Sequence, residues 1–280
     1  LYKSSGLIDR LSQSLHSTVI RIGLTGRDLV RIIMGFGCNV PSIISTRSCS
    51  SCTRGNCISA ISFGAACSYQ LPATIAVFSA AKMNFLVIPY LLILTISTIL
   101  YVKFFSTIKN KPLRAQKLLT QHDYMQWPSL SSIWHDMLQS FKDFFSTAFP
   151  IFMLICIAAG LFDWLGFIDI LSVVLSPLMA IFNLPDQAAT SVVLGSIRKD
   201  GISIGLLDPS MNALKGGIQY TPVQVLTVVY LAGVLLPCIV TLWTIVKEMN
   251  FKFALKLVQR QMLAASLFSI VIAWTGWLFT

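Results

Sequence analysis

Three cysteines are the residues best suited to chemistry, because each stands beside helix-breaking residues within an apolar stretch. Cys38 occurs in GFGCNVP, Cys67 in AACSYQLP and Cys238 in LLPCIVTL. A nearby proline frees backbone carbonyls and bends the helix. A thiol beside unpaired carbonyl oxygens suits a borderline-soft ion, since thiolates favour iron, zinc and copper over magnesium or calcium. The shared context predicts a set of ligands for such an ion.

A fourth apolar cysteine lacks this context. Cys156 lies in FMLICIAAG with no breaking residue beside it. A buried cysteine is commonly no more than a small apolar side chain. We therefore interpret Cys156 as part of the packing.

A charged triplet interrupts another apolar stretch, at Arg198, Lys199 and Asp200. Ionisable groups at membrane depth are costly, and they usually pair or line a wet cavity. Asp200 could help to hold a cation, and its basic neighbours could pair with it or prevent leakage. The alternative is a short hairpin whose charged tip reaches the membrane surface. The energetic cost favours the functional interpretation.

A second cysteine group, Cys49, Cys52 and Cys57, has the spacing C-x2-C-x4-C in RSCSSCTRGNC. A C-x2-C pair is the usual half of a zinc or iron–sulfur site. Three thiols are one ligand short of a closed site, so a fourth must come from elsewhere. The group could be a cytoplasmic entrance or acceptor site, an iron or redox sensor, or a set of solvated thiols.

Catalytic arrangements are not evident in the sequence. The His–Asp pairs at residues 122–123 and 135–136 do not place both histidines on one helical face, which favours a solvated cytoplasmic helix. There are only 11 acidic residues, most of them in loops, and no Ser-His-Asp set has a convincing context. We predict that the chain is not an enzyme.

The elements that position these residues must be membrane helices. Hydrophobic residues make up 55% of the 280-residue chain and charged residues 11%, against about 25% in ordinary soluble domains. Residues 85–107 are long enough to cross a bilayer core of roughly 30 Å, and similar runs lie deep in the chain. The sequence predicts an all-α, polytopic membrane protein. No basic soluble domain is present to bind nucleic acid.

Hydropathy and turn residues divide the chain into three predicted parts. Residues 1–106 hold a first gate segment with an amphipathic N-terminus and two spans, residues 107–142 a cytoplasmic interfacial connector, and residues 143–280 a second gate segment with further spans. Basic clusters at 103–117 and 247–260 fall on one side, which predicts that this side is cytoplasmic. The predicted spans are 58–81, 84–106, 144–164, 167–183, 188–207, 222–246 and 261–279.

A weak internal repeat relates the two gate segments. The stretch from Ile22 aligns with the stretch from Phe182, so that Gly35 matches Gly195. Paired, interrupted helices indicate a transporter binding site, because broken backbone at membrane depth must line a cavity or be packed by protein. Two glycine-kinked helices with chance similarity are the alternative. We expect broken or re-entrant helices.

The motifs GFGCNVPSIISTR, CSYQLP and LLPCIVTLWTIVKE are similar to the membrane domain of the FeoB ferrous iron transporters. The resemblance covers nearly the whole chain, including both gate segments. It implies that Cys38, Cys67 and Cys238 line and gate the ion path, with Asp200 as an auxiliary carboxylate. The family usually has Lys-Glu where this chain has Lys199-Asp200, so the carboxylate is kept but shortened.

Several family features differ in this sequence. No G-x-x-x-x-G-K-S/T phosphate loop occurs, so either the G domain is a separate or removed piece, or the chain is a divergent relative without it. Membrane spans expected before the first gate are also missing, and the chain opens on Leu1, as an excerpt would. Gln70 stands where the family usually has arginine. The Cys49, Cys52 and Cys57 group is not explained by the resemblance.

The function predicted from these features is a permease that moves Fe²⁺ into the cell across the inner (cytoplasmic) membrane. One alternative is a gate-type transporter of another divalent metal or of a nucleoside-like solute. Another is a non-transporting sensor subunit with zinc or an iron–sulfur cluster at Cys49, Cys52 and Cys57. A G-protein domain, a small accessory subunit and a second copy of the chain stay open as partners besides the lipid bilayer.

Overall fold

Helices form all the regular structure that a computed structural model of the chain describes, and no β-strand occurs in these residues. The described ranges are 24–49, 53–105, 130–143, 145–146, 149–207 and 220–278. The helices are α1 (Gly26–Gly35), α2 (Asn39–Ser45), α3 (Arg54–Gly64), α4 (Gln70–Ala80), α5 (Val87–Phe105), α6 (Leu130–Asp143), α7 (Phe149–Trp164), α8 (Phe167–Met179), α9 (Ala188–Ile197), α10 (Gly201–Leu207), α11 (Pro222–Val234), α12 (Ile239–Glu248) and α13 (Phe251–Leu278).

Within the described ranges, three segments are long and apolar enough to cross a membrane: Asn84–Phe105, Pro222–Glu248 and Phe251–Trp277. Large apolar side chains on the outer face of α5 are exposed, with Ile88 at 69% and Leu92 at 58%. They lie four residues apart, so they share a helix face, and lipid is the solvent that such a face requires. The all-α, polytopic membrane fold is thus confirmed.

Four of the apolar stretches are broken in the middle. The non-helical breaks are residues 36–38 (break 1, between α1 and α2), 65–69 (break 2, between α3 and α4), 198–200 (break 3, between α9 and α10) and 235–238 (break 4, between α11 and α12). Broken helices were expected, but break 2 divides residues 58–81, which were predicted as one span. The two half-helices at 54–64 and 70–80 are each too short to cross a bilayer alone.

The last span begins earlier than predicted. Helix α13 starts at Phe251, ten residues before the expected boundary at 261. The side chain of Asn250 accepts a hydrogen bond from the backbone N–H of Phe253 at 2.7 Å and thereby caps the helix. Basic residues predicted to form a loop therefore lie on the first turns of α13.

The internal repeat is present as a pair of matching helix–break–helix units. Helices α1 and α9 each have 10 residues, α2 and α10 each have 7, and three-residue breaks separate them. The units match with an offset of 162 residues, whereas pairing Gly35 with Gly195 implied 160. The alignment of Gly35 with Gly195 stays a prediction. When the helix starts are superposed, Cys38 corresponds to Asp200.

Helices from the two halves pack across one another. Helix α2 contacts α12, and α10 contacts α4, so the four breaks meet near the centre of the molecule. The hairpin of α9 and α10 closes tightly because Gly205 has no side chain: a Cβ there would lie 2.6 Å from Cα of Ser191. Small residues thus let the broken helices approach closely.

The division of the chain into three domains stays a prediction. Much of the N-terminal segment at residues 7–24 and of the connector at 107–142 lies outside the described residues, as do His122 and Asp123. Helix α6 is the described part of the connector, and His135 is exposed on it.

Candidate functional site at the four helix breaks

A cavity of about 90 Å³ lies where the four breaks meet. Break 1 contributes Cys38, break 2 Cys67, break 3 Asp200 and break 4 Cys238 to its wall. These are the four residues predicted to line the ion path, and the structure brings all of them to one cavity. Their role as ion ligands stays a prediction.

The donors of this cavity do not converge tightly in this conformation. Within the described residues, three Cys, His or acidic ligand atoms lie within 4.8 Å of one another only at Asp28, Cys49 and Cys57, which are not part of this cavity. The Sγ atom of Cys238 lies 3.0 Å from Oγ1 of Thr241. An ion held by several cavity donors at once therefore requires the broken helices to shift.

Hydrogen bonds fix break 1 against break 2. The backbone N–H of Ser68 donates to the carbonyl of Gly37 at 3.1 Å. The side-chain amide of Asn39, oriented as a donor, reaches the carbonyls of Gly35 at 3.0 Å and Ala65 at 3.3 Å. Each of these carbonyls lies where a helix ends, so it has no intrahelical partner. The asparagine of GFGCNVP thus joins the two breaks that carry the first two thiols.

Lys199 plays the corresponding part between break 3 and break 4. Its ammonium group is buried and donates to the carbonyls of Gly233 at 2.8 Å and Leu236 at 2.5 Å, with Ala232 at 3.4 Å. These carbonyls are freed by the break after α11. The lysine was expected only as a charged neighbour of Asp200, whereas the structure makes it the link between two broken helices.

Asp200 is paired with Arg198 in this conformation. The guanidinium donates from Nε to Oδ1 at 3.1 Å and from Nη2 to Oδ2 at 2.5 Å. Both side chains are about one-third exposed, at 34% and 32%. The predicted pairing of Asp200 with a basic neighbour is observed. The triplet lines the central cavity, which differs from the alternative of a hairpin tip at the membrane surface.

Cys156 also lines the cavity, from α7. It was interpreted as a packing residue because it has no helix breaker beside it. The sequence carries no signal for this placement, since it arises from the way that α7 packs against α12. Cys156 adds a fourth sulfur to the wall.

An ion-pair cluster joins the two halves of the chain away from the cavity. Glu248, at the end of α12, accepts from Arg47 at 2.8 and 2.5 Å and from Arg54 at 3.0 Å. The carboxylate of Glu248 raises the pKa of Arg47 above its ordinary value because it stabilises the charged guanidinium. The segment between α2 and α3 and the end of α12 therefore lie on the same side of the protein.

Two members of the second cysteine group lie beside an aspartate. The Sγ atom of Cys49 is 3.1 Å from Oδ1 of Asp28, and Sγ of Cys57 is 3.8 Å from the carbonyl oxygen of Asp28. One donor atom from each of the three side chains falls within 4.8 Å of the other two. Cys52 lies outside the described residues, so its role stays a prediction.

Comparisons with known proteins bear on this architecture. A model of the Gate family, described as nucleoside recognition, matches residues 145–252. The Fe(2+) transporter FeoB of Methanocaldococcus jannaschii is 24% identical over 98% of this chain and 45% of its own length. The Fe(2+) transporter FeoB of Synechocystis is 43% identical over 47 residues, which are 17% of this chain and 8% of the relative.

A Fe(2+) transport protein A/Fe(2+) transporter FeoB fusion protein of Porphyromonas gingivalis is also 43% identical over 47 residues, or 17% of this chain and 6% of its own. No solved structure matches the chain. The chain spans less than half the length of each of these relatives. The resemblance seen in the sequence motifs is confirmed: almost the whole chain is similar to the transmembrane gate domain of FeoB, with a Gate match at residues 145–252.

Proposed function

We propose that the chain is a permease for ferrous iron, and that the ion passes through the cavity at the four breaks into the cell. The observation that carries the proposal is the meeting of Cys38, Cys67, Cys238 and Asp200, from four separate breaks, at one cavity. The printed names of the relatives, Fe(2+) transporters, support iron as the solute. We place the protein in the inner membrane with several spans.

The donor set accounts for a preference among ions. Thiolates bind Fe²⁺ and similar borderline ions more tightly than they bind Mg²⁺ or Ca²⁺, and a single carboxylate adds negative charge. Binding to thiols displaces their protons, so loading of the cavity would be favoured as pH rises. The sulfur-rich wall gives hard cations few oxygen ligands to replace their water.

For an ion to bind in the cavity, two of the cavity side chains must first give up their present contacts. Asp200 must leave Arg198 before it can contact an ion, and Cys238 must leave Thr241. Lys199 keeps the freed carbonyls of break 4 occupied, so these oxygens do not offer a second, unselective cation site. The ion would thus replace existing contacts within the cavity.

The energy source is proposed to lie in a G-protein domain that acts with this chain. The 280 residues contain no phosphate-loop motif. The name of the Porphyromonas relative joins a transport protein A to FeoB, and it supports a small accessory subunit as a second partner.

A nucleoside-like solute is the second candidate, because the Gate model is described as nucleoside recognition. The cavity argues against it. Pockets for organic ligands usually measure about 300–1,000 Å³, whereas this cavity measures about 90 Å³. Tyr69 is the aromatic residue among the described lining residues, so a base could not be stacked on both faces.

The experiment that tests the proposal is uptake of radioactive Fe²⁺ by proteoliposomes under anaerobic, reducing conditions. Cys38→Ser is compared with wild type and with Ile88→Ser, a matched control on the lipid-facing side of α5. We expect Cys38→Ser to lower uptake by about tenfold or more, because serine is a poor ligand for Fe²⁺. Equal uptake by all three proteins, or uptake of a radioactive nucleoside in place of iron, would contradict the proposal.

A further inference from the structure

A group of three metal-ligand side chains, separate from the cavity, lies at the other end of helices α1 and α3. We infer that Asp28, Cys49 and Cys57 bind one thiophilic divalent transition-metal ion, such as Zn²⁺ or Fe²⁺. The sequence motif C-x2-C-x4-C suggested a site made of three thiols. The structure instead supplies a carboxylate that lies 21 residues before Cys49 in the chain. This inference is independent of the proposed transport.

The distances suit a metal. The donor atoms of the three side chains lie within 4.8 Å of one another, and the shortest sulfur–oxygen separation is 3.1 Å. In a tetrahedral zinc site with Zn–S of about 2.3 Å and Zn–O of about 2.0 Å, neighbouring ligand atoms are about 3.5 Å apart. Small side-chain adjustments therefore bring the three donors around one ion, and water can complete the tetrahedron.

The two carboxylate oxygens of Asp28 are used differently. Oδ2 accepts from the backbone N–H of Thr25 at 2.9 Å and from its hydroxyl at 2.8 Å, which completes a capping box at the start of α1. Oδ1 faces Cys49 and receives a longer contact from Arg31, at 3.3 Å. Oδ1 can thus bind an ion while Oδ2 keeps the helix capped.

Burial and charge also fit a metal better than solvated thiols. Cys57 is 0% exposed and Asp28 is 1% exposed, so neither is a solvated surface group. Two thiolates and one carboxylate around a divalent ion leave one net negative charge. The guanidinium of Arg31, which contacts Asp28, offsets it.

The location of the site relates it to the cavity. Asp28 is in the first turn of α1, and Cys38 follows the end of that helix; Cys57 is in the first turn of α3, and Cys67 follows its end. Seven residues of helix separate the two ends, or about 10 Å. A bound ion therefore cross-links the start of α1 to the start of α3, and it stiffens the pair of helices that carries the first two cavity thiols.

Cobalt(II) is the probe for the test, because cobalt–thiolate bonds give an intense near-ultraviolet charge-transfer band. The full chain is purified in detergent with Cys38, Cys67 and Cys238 all changed to serine, so that Cys156 is the cysteine left among the described lining residues of the cavity. We expect one Co²⁺ per chain with this band. Asp28→Asn and Cys57→Ser, each added to that background, should weaken binding roughly 10–100-fold or more.

Control variants separate this site from other sources of the signal. Cys156→Ser should leave Co²⁺ binding unchanged, and Cys52→Ser should retain the single bound ion. Cys49→Ala serves as a second ligand variant if Asp28→Asn fails to fold in the absence of metal. Loss of binding in Cys52→Ser together with normal binding in Asp28→Asn would overturn the inference, as would a thiolate band that none of these changes removes.

Discussion

Substitution of Lys199 tests whether its buried hydrogen bonds, rather than its positive charge, stabilise the protein. Its buried ammonium donates to three carbonyl oxygens at the end of α11 and in break 4, and it lines the cavity. Lys199→Met removes these donors while keeping most of the side-chain volume. Because buried acceptors lose their partner, we expect the free energy of unfolding to fall by about 1–3 kcal/mol. Thermal unfolding in detergent measures it.

The matched control for this change is Lys252→Met, at an exposed position on α13. It removes the same charge but no buried hydrogen bond, so its melting temperature should stay at the wild-type value. A fall in stability of equal size in both variants would mean that Lys199 acts only through the net charge of the protein.

Asp200 is expected to contribute more to ion uptake than to the stability of the protein. Its pair with Arg198 is about one-third exposed, and such pairs contribute little stability, typically up to about 1 kcal/mol. Asp200→Asn should therefore unfold near the wild-type temperature, yet lower kcat/KM for Fe²⁺ uptake by about tenfold because the negative charge is lost. Asp200→Glu keeps the charge and should restore most of the uptake. Equal uptake by Asn and Glu variants would remove Asp200 from the ion path.

At the scale of helices, the ends created by the breaks must find partners outside their own helix. Gln261 on α13 meets this need: its amide donates to the carbonyl of Val234 at 2.7 Å and accepts from the hydroxyl of Ser62 at 2.7 Å. Long helices beside the broken ones thus supply the hydrogen bonds that water cannot supply within a membrane.

The variant Gln261→Leu tests this role. It leaves a buried carbonyl and a buried hydroxyl without their partner, so we expect a loss of about 1–3 kcal/mol in the free energy of unfolding. Gln259→Leu, at an exposed position on the same helix, is the matched control. Chemical denaturation followed by tryptophan fluorescence compares them. Unchanged stability of Gln261→Leu would indicate that another donor satisfies Val234.

The helix breaks could be predicted from sequence because glycine, proline and charged residues mark them locally. What the breaks bind could not be predicted, since the partners are distant along the chain: Lys199 reaches carbonyls 33–37 residues away, and Gln261 reaches Ser62. Asp28 was missed for a different reason. The pattern Thr25 to Asp28 is typical of a helix cap, and nothing in it indicates that the second oxygen faces a thiol.

At the scale of the whole molecule, the two halves are related by a repeat whose ligand positions differ. Break 1 presents a thiol, Cys38, where break 3 presents a carboxylate, Asp200. Breaks 1 and 2 are joined by Asn39, and breaks 3 and 4 by Lys199. Each half supplies two cysteines to the cavity wall, but the charged lining residues, Arg198, Lys199 and Asp200, all come from the second half. An ion that crosses between them would move between chemically distinct sides.

The orientation of this arrangement gives the last prediction. The ion pair of Arg47 with Glu248 places the segment between α2 and α3 beside the start of α13, and Arg260 contacts the carbonyl of Phe105 at the end of α5 at 3.4 Å. The start of α5, near Lys82, must then face the opposite side of the membrane. Lys252→Cys should react with a membrane-impermeant maleimide only in inverted membrane vesicles, since the basic cluster is predicted to face the cytoplasm. Lys82→Cys should react only in right-side-out vesicles, and labelling of both from the same side would refute the crossing by α5.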